Sequence, residues 1–202
     1  ENLEQYIHQV LQLESVACKD WLTNKVDRCV GGRVAKQQCV GPLQLPLNNV
    51  GVMALDFKGK EGVATSIGHS PLTALVDPVA GSRNAIGEAL TNLIFAPIKN
   101  GIQGVSLSAN WMWPSNNKGA DARLYQAVKG CSDFAIELGI NIPTGKDSLS
   151  MKQKYPDGDV LAPGTVIISA VSNCTNINKL VEPLLNKTAG SIYYINLSKD
   201  EF

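Results

Sequence analysis

The sequence predicts an α/β (α+β) domain in which a small mixed or antiparallel sheet is backed by helices. Apolar side chains make up 44% of the 202 residues, enough to bury a sizeable core in one domain, or in one domain plus part of a second. β-prone runs come in pairs with helical stretches between the pairs, which favours mixed or antiparallel pairing over a regular parallel alternation. Two of those helical stretches are long and carry recognisable start and stop signals.

In chain order, Leu3, Ile7, Val10 and Leu11 share one helical face, so a short helix is expected over residues 3–13. From Ser15 to Asn49 the pattern loosens into Gly, Pro, Gln and isolated apolar residues, an irregular stretch of the kind more often functional than structural. A strand at Val50–Phe57, the turn Lys58–Gly62 and a strand near Val63–Ile67 read as a hairpin. Asp77-Pro78 places an acid at the N-cap and Pro in the first turn, and Ile86, Leu90, Leu93 and Ile94 continue the helical spacing to Phe95. Residues 104–113 read as a strand entering Trp111-Met112-Trp113. Ala120–Leu138 reads as a helix with Leu124, Ala127, Cys131, Phe134, Ala135 and Leu138 inward, stopped by Gly139. Further strands are expected at 147–153, 165–173 and 191–197.

Eighteen basic and eighteen acidic residues cancel, so no long-range field draws the chain to nucleic acid or to an anionic membrane, and a local ligand site is the better expectation. The five cysteines are odd in number, widely spaced and form no Cys-x-x-Cys pair, which argues against a disulfide framework or structural zinc and for a reducing, cytoplasmic setting. No apolar run reaches membrane-spanning length. The chain lacks an initiating Met and stops at Lys199–Phe202 directly after a β-prone run, so an excised segment of a longer polypeptide is expected.

Neither a Walker loop nor Gly-x-Gly-x-x-Gly after a strand is present, so any nucleotide is held by other means. Glu88 and Asn92 lie four apart on the second predicted helix, side by side on one face, and both offer the hard oxygen donors that Mg2+ prefers; a solvated polar stripe gives the same spacing. Asn48-Asn49 stands where the irregular stretch meets a strand, a junction able to aim side chains into a cleft, although Asn is also a common turn-former. Lys19 and Lys25, near Asp27 and Arg28, supply cations for phosphates, or are ordinary surface charges. Lys146, Asp147 and Ser148, after Gly145, offer a cation, an acid and a hydroxyl at a strand entrance, or form a charged turn. Trp111 and Trp113 are read as core, and His8, His69, Cys18 and Cys131 lack partners for catalysis.

Five strings in order, Leu22–Arg28, Gln38–Gln44, Glu88–Asn92, Asn110–Trp113 and Gly145–Met151, resemble the large single-chain phosphoribosylformylglycinamidine synthase family, with the likeness running from about Val16 to Cys174. The resemblance implies the N-terminal domain of the second of two halves, each built like aminoimidazole ribonucleotide synthetase. It divides the chain into an N-terminal helix or lead-in at 1–14, a nucleotide-binding domain at 15–176, and a linker with the first strand of a following domain at 177–202. It also implies that Glu88, Asn92 and Asn49 ligate Mg2+ and that Asn48 and Lys19 contact an auxiliary ATP or ADP; no residue of the segment is assigned a catalytic role. The family carries Asp where this chain has Asn49, and a further metal ligand lies in another domain, so the isolated piece is expected to bind nucleotide weakly or not at all. Implied partners are other domains of the same polypeptide, including a glutaminase. Two alternatives stay open: an architectural domain that forms a homodimer, and a stand-alone relative of thiamine-monophosphate kinase or selenophosphate synthetase.

Overall fold

Asp77 shows how local chemistry sets the architecture. Its carboxylate accepts from the N–H groups of Val79 at 2.8 Å and Ala80 at 3.0 Å, and Pro78 follows it, so the long central helix starts where the sequence places it. The computed structural model describes residues 2–14, 16–19, 22, 28–185, 187 and 190–196. In order, its elements are α1 (Leu3–Gln12), β1 (Val34–Lys36), β2 (Val50–Ala54), β3 (Gly62–His69), α2 (Pro71–Val76), α3 (Pro78–Leu93), β4 (Val105–Met112), α4 (Ala120–Leu138), β5 (Asn141–Ser148), β6 (Lys152–Tyr155), β7 (Gly158–Leu161) and β8 (Thr165–Cys174).

Six strands form one sheet in the order β1-β2-β3-β8-β4-β5, antiparallel throughout except for the β4–β5 pair, which α4 connects as a β-α-β unit; β6 and β7 form a separate ribbon. This is the mixed, helix-backed sheet the sequence predicts. Strand alternation divides it into two unlike faces. Val50, Val52, Ala64, Leu107, Ala109, Val166, Ile168 and Ala170 face the core with Ile86, Ala89 and Leu93 of α3 and Cys131 and Ala135 of α4. The opposite face leaves Met53, Ile67 and Val171 exposed.

Small residues set the distance between helix and sheet. A Cβ on Gly68 of β3 would lie 1.9 Å from the Ala85 carbonyl oxygen, and one on Gly130 of α4 would lie 2.7 Å from Val79 Cγ1, so both contacts require glycine. Gly139, at φ +67°, ends α4 as predicted, its N–H turning back to carbonyls of the last turn.

Several expectations need correction. The predicted strand at 147–153 is instead β5 at Asn141–Ser148 followed by β6 at Lys152–Tyr155. Pro143 and Gly145 argue against a strand, but an edge strand tolerates Pro, and Gly145 is required because a Cβ there would meet the Ala109 carbonyl oxygen at 2.3 Å. The strand from Val50 stops at Ala54, because Leu55 N–H bonds to the Glu61 carbonyl and the Asp56 carboxylate accepts from the N–H groups of Lys58 and Gly59 to build the turn. β1 and α2 arise inside segments whose periodicity is too short to read. Residues 191–196 pair with no strand, and Leu197 lies outside the described residues. Helix α1 forms as expected, yet Leu3, Ile7, Val10 and Leu11 remain exposed. Among the described residues no helix is long and apolar enough to cross a membrane.

Candidate functional site

The loop before β2 is pinned by its own backbone and one side chain. Asn48 N–H donates to the Gln38 carbonyl at 3.1 Å, and Asn48 Nδ2 donates to the Gln37 carbonyl at 2.8 Å. That bond fixes the amide orientation, since the opposite flip would set two oxygens against each other. Asn48 Oδ1 is thereby left buried with no hydrogen-bond partner among the described residues. A buried acceptor without a donor is costly and calls for a water or a ligand.

Helix α3 supplies the second wall. The β2–β3 ladder ends at Val50↔Ser66, whereas β3 continues to His69. At this free end the Glu88 carboxylate accepts from His69 N–H at 2.6 Å, and Asn92 Nδ2 donates to the Ile67 carbonyl at 3.0 Å. The i, i+4 pair is therefore not a merely solvated stripe, since both side chains are anchored to strand backbone. Each keeps one oxygen, Glu88 Oε1 and Asn92 Oδ1, that makes no hydrogen bond among the described residues.

A cleft of about 690 Å³ joins the two walls, lined by Asn48 and Asn49, by Glu88 and Asn92, by Lys36, Gln37 and Gln38, and by Thr65, Ile67 and Val171 of the bare sheet face. Four of the residues singled out in the sequence thus converge, although 39 or more positions separate the loop pair from the helix pair. Its volume suits a small organic ligand. Sequence reasoning passes over Lys36, because a single lysine in an irregular stretch carries no spacing signal.

Other candidates lie elsewhere. Lys19 is exposed and does not line the cleft; its ammonium donates to the Ala17 carbonyl at 3.1 Å and to the Glu14 carbonyl. Lys25 and Asp27 lie outside the described residues. Arg28 bonds the Gln37 side chain at 2.7 Å and that of Gln44. Lys146, Asp147 and Ser148 sit on β5, at the sheet edge opposite β1, where the lysine donates to the Asp147 carbonyl and to the Ser148 hydroxyl. The expected core role of Trp113 is met: it is buried, and its indole N–H donates to the Ala120 carbonyl at 2.8 Å. Burial pushes the Cys131 thiol up to about 11, so it is protonated near neutrality and unsuited to nucleophilic work.

No group of three His, Cys, Asp or Glu side chains that could hold a metal occurs among the described residues. The cleft offers instead one carboxylate and the amide oxygens of Asn48, Asn49 and Asn92. An all-oxygen set with a single charge fits Mg2+, which keeps much of its water and depends on phosphate oxygens for the rest of its shell. It does not fit zinc, which favours nitrogen and sulfur.

The family described as FGAR-AT PurM_N-like domain matches residues 18–173. Phosphoribosylformylglycinamidine synthase of Homo sapiens is 43% identical over 199 residues, covering 98% of this chain and 15% of that protein. The probable chloroplastic/mitochondrial phosphoribosylformylglycinamidine synthase of Arabidopsis thaliana is 45% identical over 196 residues, covering 96% and 14%. The chain thus spans about 15% of the length of these relatives. Among solved structures, PurLQS from Thermotoga maritima superposes with a TM-score of 0.62 at 16% identity, over 83% of this chain and 25% of that one. T. maritima PurL complexed with AMPPCP gives a TM-score of 0.55 at 17% identity, over 76% and 23%. At such identities these superpositions speak to the fold.

Proposed function

We propose, given that the chain belongs to the FGAR-AT PurM_N-like domain family, that it contributes a Mg2+-nucleotide site to a larger ATP-dependent amidotransferase of purine biosynthesis. The single observation that carries this reading is the convergence of Asn48, Asn49, Glu88 and Asn92 on one cleft of ligand size. Asn49, Glu88 and Asn92 hold Mg2+, and Asn48 contacts the adenine nucleotide. When bound, the metal neutralises polyphosphate charge. The chain's own part is orientation: His69 N–H and the Ile67 carbonyl fix Glu88 and Asn92, so neither side chain has to be ordered at the moment of binding.

In the parent reaction we assign, formylglycinamide ribonucleotide, ATP, glutamine and water give formylglycinamidine ribonucleotide, ADP, phosphate and glutamate. Phosphoryl transfer makes the amide oxygen a leaving group, and ammonia from a glutaminase elsewhere in the polypeptide displaces it. This chain supplies an auxiliary ADP or ATP site and no catalytic acid, base or nucleophile. Lys19 joins the site only if its loop closes on bound phosphates. A cytoplasmic setting belongs to the same proposal; Cys18, Cys29, Cys39, Cys131 and Cys174 form no disulfide among the described residues, which suits a reducing compartment.

A second reading has its own support in the bare sheet face, where Met53, Ile67 and Val171 lie exposed beside the cleft. On that reading the chain is an interface, pairing with another domain or with a second copy. Calorimetric titration with ADP in Mg2+, alongside sedimentation, separates the two. The nucleotide reading expects saturable heat that Glu88→Gln weakens by about tenfold or more, as for loss of a charged ligand. Absence of heat together with a stable dimer favours architecture alone.

A further inference from the structure

Lys36 closes β1 and is 5% exposed. Its ammonium donates to the Val181 carbonyl, its sole hydrogen bond among the described residues, although an ammonium carries three donors. Burial pulls its pKa below the usual lysine value, opposed by the Glu182 carboxylate nearby. Holding a cation in such a place is costly unless its remaining protons find acceptors.

Two cavities meet at this residue. Lys36 lines the main cleft and also a chamber of about 50 Å³ that it shares with Asn48, Asn49, Asn92, Phe95 and Pro183. The chamber holds water at most, whereas the cleft accepts a nucleotide. Among the described residues that line the cleft Lys36 is the one cation, and Glu88 is the one carboxylate. A nucleoside diphosphate carries more negative charge than one Mg2+ neutralises, and a carboxylate ligand adds to the excess. Val181 in turn donates its N–H to the Phe95 carbonyl at 2.9 Å, so the acceptor that holds Lys36 is itself anchored just beyond α3.

We infer that Lys36 contacts the polyphosphate of the bound nucleotide directly. The inference rests on the nucleotide reading of the same cleft. Val181 holds the ammonium, and its unused protons meet anionic oxygen when the cleft fills.

The test compares wild type, Lys36→Met and Lys36→Arg by calorimetry with ADP in Mg2+ and with adenosine, after circular dichroism has shown each variant folded. Lys36→Gln replaces the Met variant should that one fail to fold. Expected is a loss of about ten- to hundredfold in ADP affinity for Lys36→Met, as for a charge-assisted hydrogen bond, with adenosine unchanged and Lys36→Arg close to wild type. Unchanged ADP affinity overturns the inference while leaving the nucleotide site standing. An equal loss for ADP and adenosine also overturns it, because Lys36 would then only pin the Val181 segment. Failure of wild type to bind ADP removes the nucleotide reading and this inference with it.

Discussion

Replacing Gly68 by Ala tests the helix–sheet contact that places Glu88 and Asn92. The added Cβ would stand 1.9 Å from the Ala85 carbonyl oxygen and 2.5 Å from the Ala89 nitrogen, where ordinary contact begins near 3.4 Å. Both obstacles are backbone, so no rotamer relieves them, and α3 must withdraw by about 1.5 Å from a core packed near crystal density. Overpacking costs about 1–3 kcal/mol in general, and a backbone obstacle puts this case at the upper end, about 3 kcal/mol. For a chain of this size that lowers Tm by about 6–12 °C in differential scanning calorimetry. Ile86 and Leu93, both fully buried on α3, lose packing in the process, and Glu88 and Asn92 move from their partners on β3. Gly87 lies one residue before Glu88 on the same helix, has nothing within 4 Å of its Cβ position and has an ordinary φ. Gly87→Ala should therefore stabilise by about 0.5–1 kcal/mol through the unfolded chain's lost freedom. A Gly68→Ala protein melting within a degree of wild type, or a Gly87→Ala protein melting well below it, refutes the packing argument.

Further outcomes are expected. Asn49→Asp adds a carboxylate to the donor set and should raise Mg2+-dependent ADP affinity, read by titration at fixed nucleotide; unchanged metal dependence places residue 49 outside the metal's reach. Native-state alkylation should label exposed Cys18 and Cys29 well before buried Cys39, Cys131 and Cys174, with mass spectrometry reporting the order. Asp56, held below its usual 3.8 by the N–H groups of Gly59 and then Lys58, contributes stability that is present above the unfolded carboxylate value and is lost as pH falls through its depressed folded value. Asp56→Asn should therefore flatten the acid limb of stability below about pH 4, and an unaltered limb would show that the turn forms without the charge.

Much of this was legible in the sequence because long elements leave periodic traces. The Asp77-Pro78 start, the α4 face and the Gly139 stop each follow from residues whose chemistry has few other uses. Lost to view were elements of three to six residues such as β1 and α2, whose patterns are too short to carry a period, and β5, whose Pro143 and Gly145 are permitted only by its edge position and its closeness to Ala109. Spacing made Glu88 and Asn92 neighbours, but their hydrogen bonds to His69 and Ile67 depend on β3 outrunning β2, which is a property of the sheet. Lys36 depends on the return of residue 181 from far along the chain, and no local string encodes that.

The central claim is that oxygens from the Asn48–Asn49 loop and from α3 surround one metal on one polyphosphate. Manganese stands in for magnesium, and its unpaired electrons broaden nearby NMR signals. With ADP present, the amides of residues 48–49, 67–69 and 88–92 should broaden together while those of 146–148 stay sharp. Broadening centred on 146–148, or none that depends on nucleotide, contradicts it.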